Sequence, residues 1–307
     1  MVVVIGESSS ADHNVLYGCN GGWRSSLEGL DLVHLRAISP SNQTRYSVPI
    51  MLTGATAADF PRFFQAPSLV SDLKACGYKT YWLSNQPRVG RHEDNIASVS
   101  READIALFLT EGGETKHYDG ELVEKLRLIG NNGDAAVKRA FFIHLAGSHV
   151  DYRTRVPADF APQAADRTQT YDATIRYTDT VLRDLFEVFP RQSLLFMYGS
   201  DHGEVLLESE MFGHGFVPSY QNEYRIPLLV WSSDGERLSR LTGYIGERTV
   251  NTESFDRIVR FLAGIEPDPS GVSFGRQVMD AAKQLVDYDK LANETVATPG
   301  ALRVGTK

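Results

Sequence analysis

The sequence predicts an α/β fold, a mostly parallel sheet with helices on both faces, and two observations carry that reading. Six short apolar runs recur along the chain: VVVIG (2–6), LVHLRAI (32–38), YKTYWLS (78–84), AFFIHL (140–145), SLLFMYG (193–199) and IPLLVW (226–231). Their apolar residues are continuous rather than alternating, which suits strands buried on both faces of a parallel sheet. Between the runs lie stretches with helical spacing, long enough to serve as crossovers between parallel strands.

Taken in order, the first strand ends at Glu7, and the second is followed by Thr44 and a helix expected over 46–53. SLVSDLKACG (68–77) reads as a helix closed by Gly77, a natural C-terminal stop. The strand over 140–145 runs out into Gly147-Ser148-His149. Residues 166–188 carry Tyr171, Ile175, Val181, Leu182 and Leu185 at mostly three- and four-residue steps, an amphipathic helix. The strand over 193–199 ends at Ser200-Asp201-His202-Gly203-Glu204, and SFDRIVRFLAGI (254–265) is a further helix. No repeat or Pro/Gly-rich linker divides the chain. The expectation is one domain over residues 1–283, with 284–307 a mobile tail that loses apolar periodicity.

Composition bounds the function. The chain has 307 residues, 42% hydrophobic and 23% charged, enough for a large core. A net charge of -8 without a basic run gives no electrostatic case for nucleic-acid binding. The two cysteines, Cys19 and Cys76, leave the redox compartment open. The start, MVVVIGESSS, reads neither as a signal peptide nor as a membrane span.

Ligands of open parallel sheets collect at the carboxyl ends of the strands. Glu7, Thr44, His149 and the pair Asp201-His202 all follow predicted strands and so converge on one edge. Two carboxylates and an imidazole suit Zn²⁺, with Mn²⁺ as the alternative, and a threonine hydroxyl can complete the set. Coordination would acidify that hydroxyl, making Thr44 both ligand and nucleophile. His149 and His214 remain to handle a leaving-group oxygen, hold an anionic substrate, or bind a second ion. Each residue has a plainer reading: Glu7 as a loop charge, Thr44 as a helix N-cap, the two histidines as loop residues. His13, His34, His92, His117 and His144 lack such convergence and read as structural.

These blocks resemble the catalytic domain of bacterial phosphoethanolamine transferases, in the alkaline phosphatase/sulfatase superfamily. VVVIGESSS resembles that family's opening, whose glutamate binds metal, matching Glu7. TRYSVPIML resembles its Thr-x-x-Ser-Val-Pro block, whose threonine is the nucleophile, matching Thr44. HLAGSH matches His149 to an active-site histidine, and YGSDHGE matches Asp201 and His202 to metal ligands. FGHGF places His214 where the family has its last active-site histidine, and TYWLSNQ (80–86) is similar to a segment of the branch acting on lipopolysaccharide core sugars.

The resemblance implies a three-layer sulfatase-like sandwich with one or two zinc ions, Mn²⁺ or Mg²⁺ being alternatives. It also implies double displacement: Thr44 takes phosphoethanolamine from phosphatidylethanolamine, and an envelope glycan or glycolipid then receives it. Family members carry membrane helices before this domain, so the chain is expected at the periplasmic face of the inner membrane, associated through segments outside it. Pro40 and Ile50 stand where the lipid A-modifying members have cysteines, which argues for another acceptor. Val150-Asp151 after His149 also departs from the usual pattern. A phosphodiesterase or phosphatase passing the group to water is the alternative. A sulfatase would need a Cys/Ser-x-Pro-x-Arg nucleophile block, which Thr44-Arg45-Tyr46 does not supply. A non-catalytic binding domain would be at odds with a complete set of metal ligands.

Overall fold

The computed structural model describes residues 1–88, 90, 94–110, 117–131, 137–162, 166–206, 211–293 and 302–303. Strands β1 (Val2–Gly6), β2 (Val33–Ile38), β3 (Lys79–Ser84), β4 (Ile105–Phe108), β5 (Arg139–His144) and β6 (Leu195–Ser200) come first. Three two-residue strands follow, β7 (Val205–Leu206), β8 (Phe212–Gly213) and β9 (Phe216–Val217). Then come β10 (Arg225–Ser232), β11 (Val250–Asn251), β12 (Gln277–Met279), β13 (Leu285–Asp287) and β14 (Leu302–Arg303). The helices are α1 (Thr44–Leu52), α2 (Leu69–Ala75), α3 (Asp94–Ser100), α4 (Gly120–Asn131), α5 (Arg167–Phe186), α6 (Gly235–Ile245) and α7 (Phe255–Leu262).

Eight strands form the central sheet in the order β11-β2-β10-β6-β1-β5-β3-β4. All six expected strands are in it. One of them, β10, runs antiparallel to both neighbours, β2 and β6. Its apolar run could not reveal this, because a strand covered on both faces looks the same in either direction.

The pleat of β1 sorts the core into two layers. Val3 and Ile5 face a cluster with Val48, Met51 and Leu52 of α1 and Phe255, Ile258 and Val259 of α7. Val2 and Val4 face the opposite cluster, with Leu122 and Leu126 of α4 and Val181, Leu182 and Leu185 of α5. Helices thus cover both faces, the expected three-layer sandwich.

The expected tail boundary at 284 falls inside a hairpin. Leu285–Asp287 pairs with Gln277–Met279, and Tyr288 packs in a small buried cluster with Ile38, Tyr224 and Val278. These contacts keep the chain in the folded body through Leu291, contrary to a tail beginning at 284. Most of the remaining tail lies outside the described residues. Cys19 and Cys76 are both free.

Candidate active site

Glu7 is the first residue past β1 and is buried at the carboxyl edge of the sheet. Ser8, next in line, sits in the left-handed region at φ 54°, a strained setting for a non-glycine residue. That turn sends its N–H to Asp201 Oδ1 (3.0 Å) while its hydroxyl donates to Glu7 Oε1 (2.8 Å). Asp201 follows β6, and the same Oδ1 accepts the N–H of His202 (2.7 Å). Two strand ends are thereby tied into one buried carboxylate pair.

Thr44 is the first residue of α1, which begins two residues earlier than expected. Gln43 holds the N-cap position, so the Thr44 hydroxyl is not spent on capping. It lies 3.1 Å from Glu7 Oε2 and 3.2 Å from His202 Nε2. Pro49 inside α1 cannot bond the Arg45 carbonyl four residues back. The Asn95 side chain donates to that carbonyl instead (3.0 Å), which keeps the first turn satisfied.

His202 Nδ1 is 2.9 Å from the Gly203 carbonyl, which can only accept. Nδ1 therefore carries a proton, and Nε2 faces Glu7 Oε1 (3.5 Å) and Asp201 Oδ2 (3.4 Å). Asp201 Oδ2 is buried with no hydrogen-bond donor meeting it among the described residues. One ligand atom from each of Glu7, Asp201 and His202 falls within a 4.8 Å cluster, with the Thr44 hydroxyl beside it. Burial and the adjacent Glu7 charge push Asp201 well above the carboxylate range. Burial also pushes Glu7 up, but His202, His149 and His214 outweigh it and hold the carboxyl down at about 2. A divalent cation would let both carboxylates ionise and would occupy the orphaned Oδ2. The residues present fit a zinc-type ion.

His149 reaches the edge through Gly147, whose φ of 51° and contact with the Glu7 backbone exclude a side chain: a Cβ there would meet Glu7 O at 2.6 Å. Asp119 holds this loop from below, accepting the N–H of Ala146 (2.8 Å) and Gly147 (2.9 Å) and the amide of Asn85 (2.9 Å). His149 Nδ1 lies 2.5 Å from the Val150 carbonyl. His214 enters just past β8, its ring centroid 4.0 Å from that of His202 and 5.8 Å from that of His149. All six residues singled out from the sequence meet here.

Three further residues complete the site. Glu204 is fully buried, accepts His214 Nδ1 (2.8 Å) and Tyr152 Oη (2.6 Å), and has its carboxyl pushed up by burial to about 7. It stood in the Ser-Asp-His-Gly-Glu block but drew no role, since nothing in the spacing showed what it would face. Gln86 donates from Nε2 to Glu7 Oε2 (3.1 Å) and the Leu145 carbonyl (3.1 Å). His144, expected to be structural, is buried yet lines the same cavity, and neither ring nitrogen has a partner among the described residues. His13 and His117 pair with Asp172 and Glu121, His34 is exposed on β2, and His92 lies outside the described residues.

The cavity over Thr44 holds about 300 Å³ and is lined by Arg45, Gln86, Arg88, Phe108, His149 and His214, among others. Its cations and imidazoles suit an anionic group held against the hydroxyl.

Phosphoethanolamine transferase OpgE from Escherichia coli strain K12 is 29% identical over 259 residues, covering 76% of this chain and 45% of that protein. Phosphoethanolamine transferase EptC from the same strain is 26% identical over 264 residues, with 76% and 45% covered. The chain thus spans about half the length of the curated relatives it matches. The zinc complex of the C-terminal periplasmic domain of EcEptC from Escherichia coli superposes with a TM-score of 0.80. That match covers 94% of this chain and 92% of that one at 24% identity, and it shows the shared fold. No helix among the described residues is long and apolar enough to cross a membrane. The sulfatase family profile matches residues 1–254 of the 307, and the chain belongs to the sulfatase family.

Proposed function

We propose that this chain is the catalytic domain of a phosphoethanolamine transferase, moving the group from phosphatidylethanolamine to an envelope glycan or glycolipid through Thr44. The observation that carries the reading is the Thr44 hydroxyl, released from capping and held between Glu7 Oε2 and His202 Nε2. The names of the relatives support the group transferred, and their zinc-bound neighbour supports the metal.

In this mechanism Glu7, Thr44, Asp201 and His202 would hold zinc. The ion lowers the hydroxyl pKa and neutralises phosphate charge when bound. Thr44 Oγ1, its proton released to solvent on ionisation, forms a bond to phosphorus as the bond to the diacylglycerol oxygen breaks, leaving phosphoethanolamine on the threonine. With Nδ1 committed to Glu204, His214 has Nε2 to give the departing oxygen a proton. His149, its Nδ1 against the Val150 carbonyl, is likewise left with Nε2 for the acceptor hydroxyl. That hydroxyl gives its proton to His149 Nε2 and bonds to phosphorus as the Thr44 Oγ1–phosphorus bond breaks, which regenerates Thr44. Positioning and charge neutralisation supply most of the acceleration in such transfers. The setting is the periplasmic face of the bacterial inner membrane.

The test is a two-part assay with labelled phosphatidylethanolamine. Diacylglycerol release alone, with phosphoethanolamine freed to water whatever glycan is offered, would make the chain a phosphodiesterase. Label appearing on a lipopolysaccharide core or glucan acceptor, and lost with Thr44→Ala, supports the transferase.

A further inference from the structure

Beside the catalytic cavity lies a second hollow of about 560 Å³, lined by Arg45, Tyr46, Ala57, Phe60, Phe64 and Met279 among others. Arg45 lines both, so the two lie side by side at the residue next to Thr44. The outer wall is the 3₁₀ turn Phe60–Phe64, sequence FPRFF. Phe63 is buried and anchors it, and Phe60 packs edge-on against Tyr46 at 5.2 Å between ring centroids. Phe64 instead points outward and is 70% exposed, the most exposed large apolar side chain among the described residues. Phe64 touches the rings of Phe63 (5.0 Å) and Phe60 (6.1 Å) within its own turn, yet most of its apolar surface stays in water, where the fold gains nothing from it.

The surroundings say what would cover it. Arg62 lies within the turn, and Lys283 sits 5.6 Å over the Tyr46 ring, as Arg45 does at 4.8 Å. Against these three cations stand Asp94 in the hollow and Asp59 at the turn's N-cap. With Asp280 buried beneath the Lys283 turn, its carboxylate taken by the N–H groups of Ala282 and Gln284, the surface groups leave an excess of one positive charge on a chain whose net charge is -8. Aromatic side chains ringed by Arg and Lys match the boundary between phosphate headgroups and acyl chains.

We propose that the Phe60–Phe64 turn docks on a phospholipid bilayer, with Phe64 inserted among the acyl chains and Arg45, Arg62 and Lys283 at the headgroup phosphates. The choice of occupant rests on the lipid-donor reading of the adjoining cavity. Docking there brings the bilayer against the hollow that adjoins the cavity over Thr44. It gives this domain its own lipid contact, apart from any membrane segment elsewhere in the protein.

The test measures co-sedimentation of the chain with vesicles of phosphatidylethanolamine and phosphatidylglycerol. Phe64→Ser should weaken binding about tenfold, the order expected from losing a buried aromatic ring. Binding by the wild type should also fall as salt rises, through the cations. Fluorescence of Phe64→Trp should be quenched by brominated lipid, an observation that does not depend on loss of function. Turnover of a short-chain, water-soluble donor should be unchanged in Phe64→Ser, while turnover of vesicle donor falls. Wild-type binding by Phe64→Ser, or no quenching in Phe64→Trp, overturns the proposal. So does a Phe64→Ser variant that converts a dimer to a monomer, which would make the patch a protein interface. Failure of every donor to turn over would instead refute the transferase reading, with vesicle binding still deciding the surface.

Discussion

Asp119 provides a demanding check on how the site is held. Its carboxylate is buried and accepts three N–H groups: Ala146 N, Gly147 N and Asn85 Nδ2. The first two belong to the loop that carries His149, and Asn85 precedes Gln86, which holds Glu7. Asp119→Ala leaves three buried donors without their acceptor. Each orphaned donor costs about 1–3 kcal/mol, and water entering the space left by the carboxylate recovers part of that, so the loss is about 3–5 kcal/mol. At about 2 °C per kcal/mol for a domain of this size, the melting temperature should fall by about 6–10 °C. Asp119→Asn keeps one acceptor and should fall about half as far. Its turnover at saturating donor should still drop about tenfold, because His149 is displaced while the metal ligands are not. Calorimetry and steady-state rates on both variants decide the matter. A melting temperature within about 1 °C of wild type for Asp119→Ala would refute the reasoning, since three buried orphan donors cannot be free.

Three further outcomes are expected. Glu204→Gln removes the charge that holds His214 Nδ1 and should cut turnover by about 10- to 100-fold with little loss of zinc, measured by rates and metal content together. Burial holds His144 neutral, its pKa lowered from 6.5 to about 4, so the unfolded chain takes the proton first. That contribution is complete above pH 6.5 and is lost as pH falls through about 4. Urea unfolding of His144→Gln should therefore lack on the order of 3 kcal/mol of acid-dependent destabilisation seen in the wild type, and parallel pH profiles would refute this. Chelation should leave Glu7 and Asp201 uncompensated: a zinc level a thousandfold above Kd corresponds to about 4 kcal/mol, or about 8 °C in melting temperature, restored on adding zinc back. An unchanged melting curve with a chelator would show that no ion compensates them.

The strands were legible because burial on both faces writes a continuous apolar run, and that alone located the sheet edge where Glu7, His149 and Asp201-His202 emerge. What escaped were elements whose signal is weak for a physical reason. β4 is four residues long at the sheet edge, with Ile105 and Ala106 exposed, so it shows no buried run. α6 and α4 present mostly polar outer faces, and β11 is only two residues long. Within the site, Thr44 had two readings that spacing could not separate. Only the helix start at Thr44, with Gln43 as N-cap, shows its hydroxyl to be free for Glu7 and His202. Asp119 and Gln86 were invisible as supports because what defines them is the backbone or carboxylate they face across the sheet. His144 looked like a strand residue and is one, yet its side chain opens on the cavity.

The central claim is that Thr44 carries the transferred group on a zinc site built from Glu7, Asp201 and His202. The most direct measurement is a crystal structure of the protein with zinc, trapped with a slow phosphatidylethanolamine analogue and recorded at the zinc absorption edge. Anomalous density is expected about 2.0–2.2 Å from Glu7, Asp201, His202 and Thr44 Oγ1, with phosphoethanolamine bonded to that same oxygen. Zinc bound elsewhere, or an adduct on Ser47 or on no residue while the donor is consumed, would contradict it.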